Sequence, residues 1–168
     1  NLLEAQKLRP SAPADVKLLY YLDKAHSHTS SQQEGVGFMK EAINLTEPTD
    51  SVMAHLYDGL VDCYSRWHKG DPYEKIEVMK KAYSLNKKYT LFFKIAELYN
   101  KQKDYANAIY YYEKYMALVP KDKQVALDDE GNPMPEIDTM YQKARRRVEK
   151  IKVEDFFRNG AHDDYFEW

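Results

Sequence analysis

A few groups of side chains in this 168-residue chain are of types that could do chemistry. His26 and His28 are suited to a transition metal, but two positions apart on a helix their rings point roughly 200° apart and cannot share one ion. His26 also falls at a packing position, and His55 lies a helix and a loop away, so no metal site is expected. Cys63 is the single thiol. A reactive thiolate needs a cation or a helix N-terminus beside it. A mid-helix place between Asp62 and Tyr64 offers neither, so Cys63 reads as structural. Asp128-Asp129-Glu130-Gly131-Asn132 has the oxygen ligands of a calcium loop, but the twelfth position, where a bidentate Glu is needed, is Thr139. It reads as a solvated, hairpin-like turn. The cluster Lys143, Arg145, Arg146, Arg147, Lys150 and Lys152 has the charge to hold phosphates. Glu149 and Glu154 interrupt it, and it reads as a solvated helix face. No glycine-rich phosphate loop, Ser-His-Asp arrangement or carboxylate pair tied to a pocket is present, so neither catalysis nor a cofactor is expected.

Composition narrows the class further. Lys+Arg number 25 and Asp+Glu 27, a net charge of −2, which argues against coating nucleic acid. One cysteine excludes a disulfide framework and a multi-cysteine zinc site. Hydrophobic residues at 43% and aromatics at 14% argue against global disorder. No run of 18 uncharged apolar residues exists, so no membrane span is expected. The compartment of this soluble chain stays open between cytoplasm and periplasm.

The elements that must position any site emerge from periodicity. From Tyr89 to Pro120, apolar residues fall at Phe92, Ile95, Ala96 and Tyr99, then at Ala108, Tyr112, Tyr115 and Leu118. Spacings of three and four are helical stripes. The polar run Lys101–Asp104 separates them and Pro120 closes the second, which predicts an antiparallel helix pair. The pattern recurs upstream as Tyr57-x2-Leu60-Val61-x2-Tyr64 with Ile76, Met79, Ala82 and Leu85. It recurs again as Leu19-x2-Leu22-Asp23-x2-His26 with Gly35, Met39, Ala42 and Leu45. Past Pro120 it breaks. Ile137, Met140, Tyr141, Ala144, Val148 and Ile151 then form one long stripe on residues 136–157, opposite the basic cluster. That is the makeup of a helix covering the open end of a repeat array.

Phe92-x2-Ile95-Ala96-x2-Tyr99 followed by Ala108, Tyr112, Tyr115 and Pro120 resembles the tetratricopeptide repeat. The small residues Ala96 and Ala108 sit where that family's helices approach closely. The resemblance implies an all-α fold, a right-handed α–α superhelix (solenoid) with a C-terminal capping helix. Residues 1–10 are expected to end a preceding repeat helix and 11–125 to form three helix pairs. Residues 136–157 would be the cap and 158–168 an acidic-aromatic tail. On this reading the chain begins inside a repeat and is the C-terminal part of a longer array.

By the family's geometry the first helix of each pair lines a concave groove. Its facing residues would be Lys17, Tyr20 and Lys24 in the first repeat, His55, Asp58 and Asp62 in the second, and Phe93, Glu97 and Asn100 in the third. Family members that clamp the C-terminal carboxylate of chaperones use Lys and Asn at two of these positions. The pairs here are Tyr20/Lys24, Asp58/Asp62 and Phe93/Glu97, so that clamp is not expected.

The resemblance implies a non-enzymatic adaptor or scaffold that presents its groove to a protein or peptide, here a segment carrying a basic stretch. One alternative is a structural or assembly segment of a larger protein with no external ligand. A second is a nucleic-acid-binding helical repeat, although the groove residues differ in every repeat, which argues against a base-reading code. The tail, with Asp163, Asp164, Tyr165, Phe166 and Trp168, is a docking peptide by composition. It offers a route to self-association or to packing on its own cap. On this reading, reversing charge at Asp58 and Asp62 should weaken capture of a basic segment. Unchanged binding in a pull-down would remove those two residues from the site.

Overall fold

The computed structural model describes residues 32–47 and 51–159. Those residues form six α-helices: α1 (Gln32–Asn44), α2 (Met53–Arg66), α3 (Pro72–Asn86), α4 (Thr90–Lys101), α5 (Tyr105–Leu118) and α6 (Met140–Asn159). The chain divides into two compact units, residues 1–87 and 88–168. The stretch read as the end of a preceding helix, the first helix of the first pair, with His26 and His28, and the acidic-aromatic tail from Gly160 on lie outside the described residues.

In the first unit, α1 buries Gly35, Val36, Met39 and Ala42, the stripe expected of a second repeat helix. It packs against Met53, Leu56, Leu60, Cys63 and Tyr64 of α2. Gly59 allows the close approach: a Cβ there would lie 2.7 Å from Met39 Cε. α2 and α3 run antiparallel, because Tyr64 near the end of α2 donates to Glu74 near the start of α3 (3.1 Å) while Asp58 meets Asn86 at the other end. Asp71 starts α3 by accepting from the Tyr73 amide (2.8 Å), with Pro72 in the first turn where no amide is needed. Lys87, left-handed at φ 56°, ends it.

In the second unit, α4 buries Leu91, Phe92, Ile95, Ala96 and Tyr99 against Ala108, Tyr112 and Tyr115 of α5. Ring pairs Phe93–Tyr115 (5.5 Å) and Tyr99–Tyr111 (5.6 Å) run in opposite order along the two helices, which are antiparallel, and Phe93–Tyr112 (5.8 Å) and Phe92–Tyr111 (5.9 Å) fill the space between them. Asp104 caps α5 through its carboxylate and the Asn107 amide side chain (2.8 Å). Val119 turns extended before Pro120, as the residue ahead of a proline must. The loop that follows forms a small hairpin. Asp128 Oδ1 accepts from the backbone of Glu130 and Asn132 (3.0 and 2.8 Å), Gly131 takes φ 84°, and Leu127 bridges Pro133.

α6 begins at Met140, four residues beyond the start at 136 expected from the stripe. A reciprocal capping box sets that start. The Gln142 amide donates to Thr139 Oγ1 (3.2 Å) and Gln142 Oε1 accepts from the Thr139 amide (3.0 Å). Ile137, counted in the stripe, precedes the helix and is 45% exposed. α6 then lays Ala144, Val148 and Ile151 onto α5.

Ala96 and Ala108 have no exposed surface, so the α4–α5 approach has no room for larger side chains. Ala96→Leu should lower unfolding free energy by about 1–3 kcal/mol, the cost of overpacking a filled interface. Urea denaturation followed by circular dichroism measures it, and an unchanged midpoint would contradict the packing described.

Candidate functional site

Phe93 and Glu97 stand one turn apart on α4, beside the buried stripe and only half-buried themselves. Phe93 leans its ring against the Tyr112 and Tyr115 rings at 68° and 65°, an edge-to-face geometry that ring quadrupoles favour. Glu97 accepts a hydrogen bond from the Tyr112 hydroxyl of α5 and pairs with Arg147 Nε of α6 at 3.3 Å. Three helices therefore meet at one carboxylate. The ion pair is half in water and is worth at most about 1 kcal/mol. A hydroxyl bonded to a charged acceptor contributes about 1.5–3 kcal/mol. Burial, and next the hydrogen bond to Glu97, push the Tyr112 hydroxyl well above the usual tyrosine range.

Between α4 and α6 an open trough of about 1020 Å³ runs past these residues. Phe93 and Glu97 line its α4 side. Lys143, Arg146, Arg147, Lys150 and Val153 line its α6 side together with Glu149 and Glu154, and Asp138 lies just ahead of that helix, so four cations and four carboxylates, Glu97 included, share the trough. Arg146 pairs with Asp138 and Lys150 with Glu154 (3.7 Å), while Lys143 makes no ion pair among the described residues. Across Met140–Asn159 seven basic residues face three acidic ones. An aromatic surface flanked by charges of both signs can take a polypeptide segment: rings supply contact area at low ordering cost, and charge selects register.

The residues expected to line a groove divide as follows. Phe93 and Glu97 share the trough. Asn100 lies one turn further on the same side of α4, beside the Tyr112 hydroxyl, whose ionisation it slightly favours. In the first unit His55, Asp58 and Asp62 recur at helical spacing along α2. His55 is exposed. Asp58 accepts from the Asn86 side-chain amide, and Asp62 pairs with Arg66 at 3.3 Å. These carboxylates are held by neighbours rather than bare. Lys17, Tyr20 and Lys24 lie outside the described residues.

One reading changes, that of Cys63. The basic cluster is exposed, as a solvated face should be, and with Glu149 and Glu154 it borders the open trough. Its signal was available, since 143, 146, 147 and 150 follow a single helical stripe; what sequence did not give was the helix opposite. Cys63 does have a cation beside it, with Arg66 Nη2 donating to its Sγ at 3.4 Å. Burial still prevails over that guanidinium and raises the thiol above its ordinary value, so the thiolate is disfavoured.

No protein-family model and no curated protein matches the chain. Among solved structures it is similar to a crystal structure of MamA, at 17% identity and a TM-score of 0.57, over 98% of this chain and 80% of that one. A second crystal structure of MamA aligns at 16% identity and a TM-score of 0.49, over 96% and 84% of the two chains. MamA contains tetratricopeptide repeats. The first likeness shows the fold, which is all-α and of the tetratricopeptide-like helical-repeat kind expected from the sequence. No helix among the described residues is long and apolar enough to cross a membrane.

Tyr64, Tyr112 and Tyr115 all have hydroxyls raised chiefly by burial. The unfolded chain loses these protons near pH 10, whereas the folded chain keeps them. The unfolded state then binds fewer protons, so stability is full below about pH 10 and falls as pH rises beyond it. Urea midpoints should decline from about pH 10 upward, and Tyr112→Phe should flatten that decline while lowering stability at neutral pH by about 1–3 kcal/mol. A decline equally steep in the variant would show that Tyr112 does not carry it.

Proposed function

We propose that this chain is a non-enzymatic protein-interaction module, an adaptor or scaffold segment that takes a peptide or protein segment against its helix pairs. Support comes from the fold and from one observation above the others: the α4–α6 trough, with the Phe93 ring and the charged face of α6, its cations interspersed with Glu149 and Glu154, bordering one space. In the first unit His55, Asp58 and Asp62 occupy the corresponding positions, and we include them with Asn100 as contact residues. Lys143, which makes no ion pair among the described residues, is the cation the trough leaves for an acidic side chain of the segment, since Arg146 and Lys150 are paired with Asp138 and Glu154. The intramolecular partners of Asp58, Asp62 and Glu97 weaken the case for a basic segment.

Panning a random peptide library against the full chain tests the reading. Enriched peptides should carry acidic residues beside an aromatic or aliphatic anchor. Phe93→Ala should weaken them about tenfold or more, as loss of a central aromatic contact does. Lys143→Glu, at an exposed position that leaves packing intact, should weaken the same peptides. Failure of any peptide to enrich, or binding indifferent to both substitutions, would overturn the assignment.

A further inference from the structure

The loop between α5 and α6 carries an open strand edge. Leu127 and Pro133 form an antiparallel bridge. The bonds that flank it run from the Asp128 N–H to the Asn132 carbonyl (2.9 Å) and from the Met134 N–H to the Ala126 carbonyl (2.7 Å). Leu127 and Pro133 are therefore a non-hydrogen-bonded pair, and in such a pair the N–H and C=O of each residue point away from the opposite strand. On the Pro133 side that outer edge is blunt, because Pro133 and Pro135 have no N–H to give. On the Leu127 side it is open. Neither Leu127 nor Val125, two positions back on the same edge, makes a hydrogen bond through its N–H or C=O among the described residues. Leu127 is also 46% exposed. An edge of this kind is a template for another strand.

We propose that the edge at residues 125–127 pairs with the same edge of a second copy of this chain, antiparallel about a two-fold axis at Ala126. Parity sets the register. Only residues with outward groups can exchange bonds, so Val125 of one copy lies opposite Leu127 of the other, and every open group of both edges is used. The exposed Leu127 side chain is then covered by Val125 across the pair. Charge selects a second copy over a foreign segment. Reversal about Ala126 lays residues 121–123, Lys-Asp-Lys, along residues 128–130, Asp-Asp-Glu, of the second copy. A net charge of +1 meets −3, and the symmetry makes the match twice. Lys123 falls near Asp129 of the second copy in this register. Two small hairpins become one four-stranded sheet, where a hairpin alone is marginal. The contact is small, so the dimer is of the weak, transient kind.

Sedimentation velocity on the full chain should give a mass near 19.8 kDa when dilute. That mass should rise about twofold toward near-millimolar concentration. The Leu127 amide should exchange its proton about tenfold more slowly once nine in ten chains are paired. Leu127→Pro removes an outward donor that the hairpin itself does not use, and should raise the dissociation constant about tenfold or more. Asp129→Lys and Lys123→Glu should each weaken pairing as well, and the two together should restore it. A mass that stays at 19.8 kDa through the whole range would overturn the proposal. So would association indifferent to Leu127→Pro, or a double charge variant that pairs no better than either single one. The charge variants decide the matter if Leu127→Pro alters the circular dichroism spectrum. A Leu127 amide protected by an added library peptide in a chain that stays monomeric would give the edge to a foreign segment and overturn the self-pairing.

Discussion

The second unit depends on one half-buried carboxylate. Glu97 sits on α4, accepts a hydrogen bond from the Tyr112 hydroxyl of α5 and pairs with Arg147 of α6, and so joins three helices at a single point. Each bond constrains the others. Tyr112 is fully buried, and its hydroxyl must find an acceptor or forfeit solvation without return. Glu97 is that acceptor. Arg147 reaches the same carboxylate, so the α6 face that carries it borders the trough opposite α4.

Around that point the packing is aromatic and tight. Phe92, Phe93, Tyr99, Tyr111, Tyr112 and Tyr115 interleave in tilted, edge and stacked pairs, and the alanines at 96 and 108 leave room for the backbones to approach. The first unit uses a more aliphatic filling: Met39, Leu56, Leu60, Ile76 and Met79 pack beside a buried Tyr64, with Gly59 admitting Met39. The same helix-pair pattern thus closes over two kinds of core. Burial of large side chains drives both, at about 1.5–3 kcal/mol each.

Much of this was legible in the residues. The stripes at Phe92, Ile95, Ala96 and Tyr99 and at Ala108, Tyr112 and Tyr115 are buried as their spacing requires, because a period near 3.6 gives a helix one face to hide. The loop at 128–133 turns as its Asp, Gly and Asn content dictates. The start of α6 was also written locally, in Thr139 and Gln142, but an apolar count that included Ile137 obscured it. The pairing of Cys63 with Arg66 was harder to see, since an arginine three residues on is as free to face water as to fold over a sulfur.

What the sequence by itself determined is the set of helices, their caps and the faces they hide, because these follow from near-neighbour periodicity and backbone chemistry. What only the tertiary structure decided is which exposed faces meet. Phe93 and Lys143 are fifty residues apart, and no local rule joins them. They come to share a space because α5 packs against both α4 and α6, and because Glu97 can satisfy partners from each side. Long-range charge pairing of this kind depends on a few ångströms of helix placement, and that placement is set by the buried side chains of α5 rather than by the charges themselves.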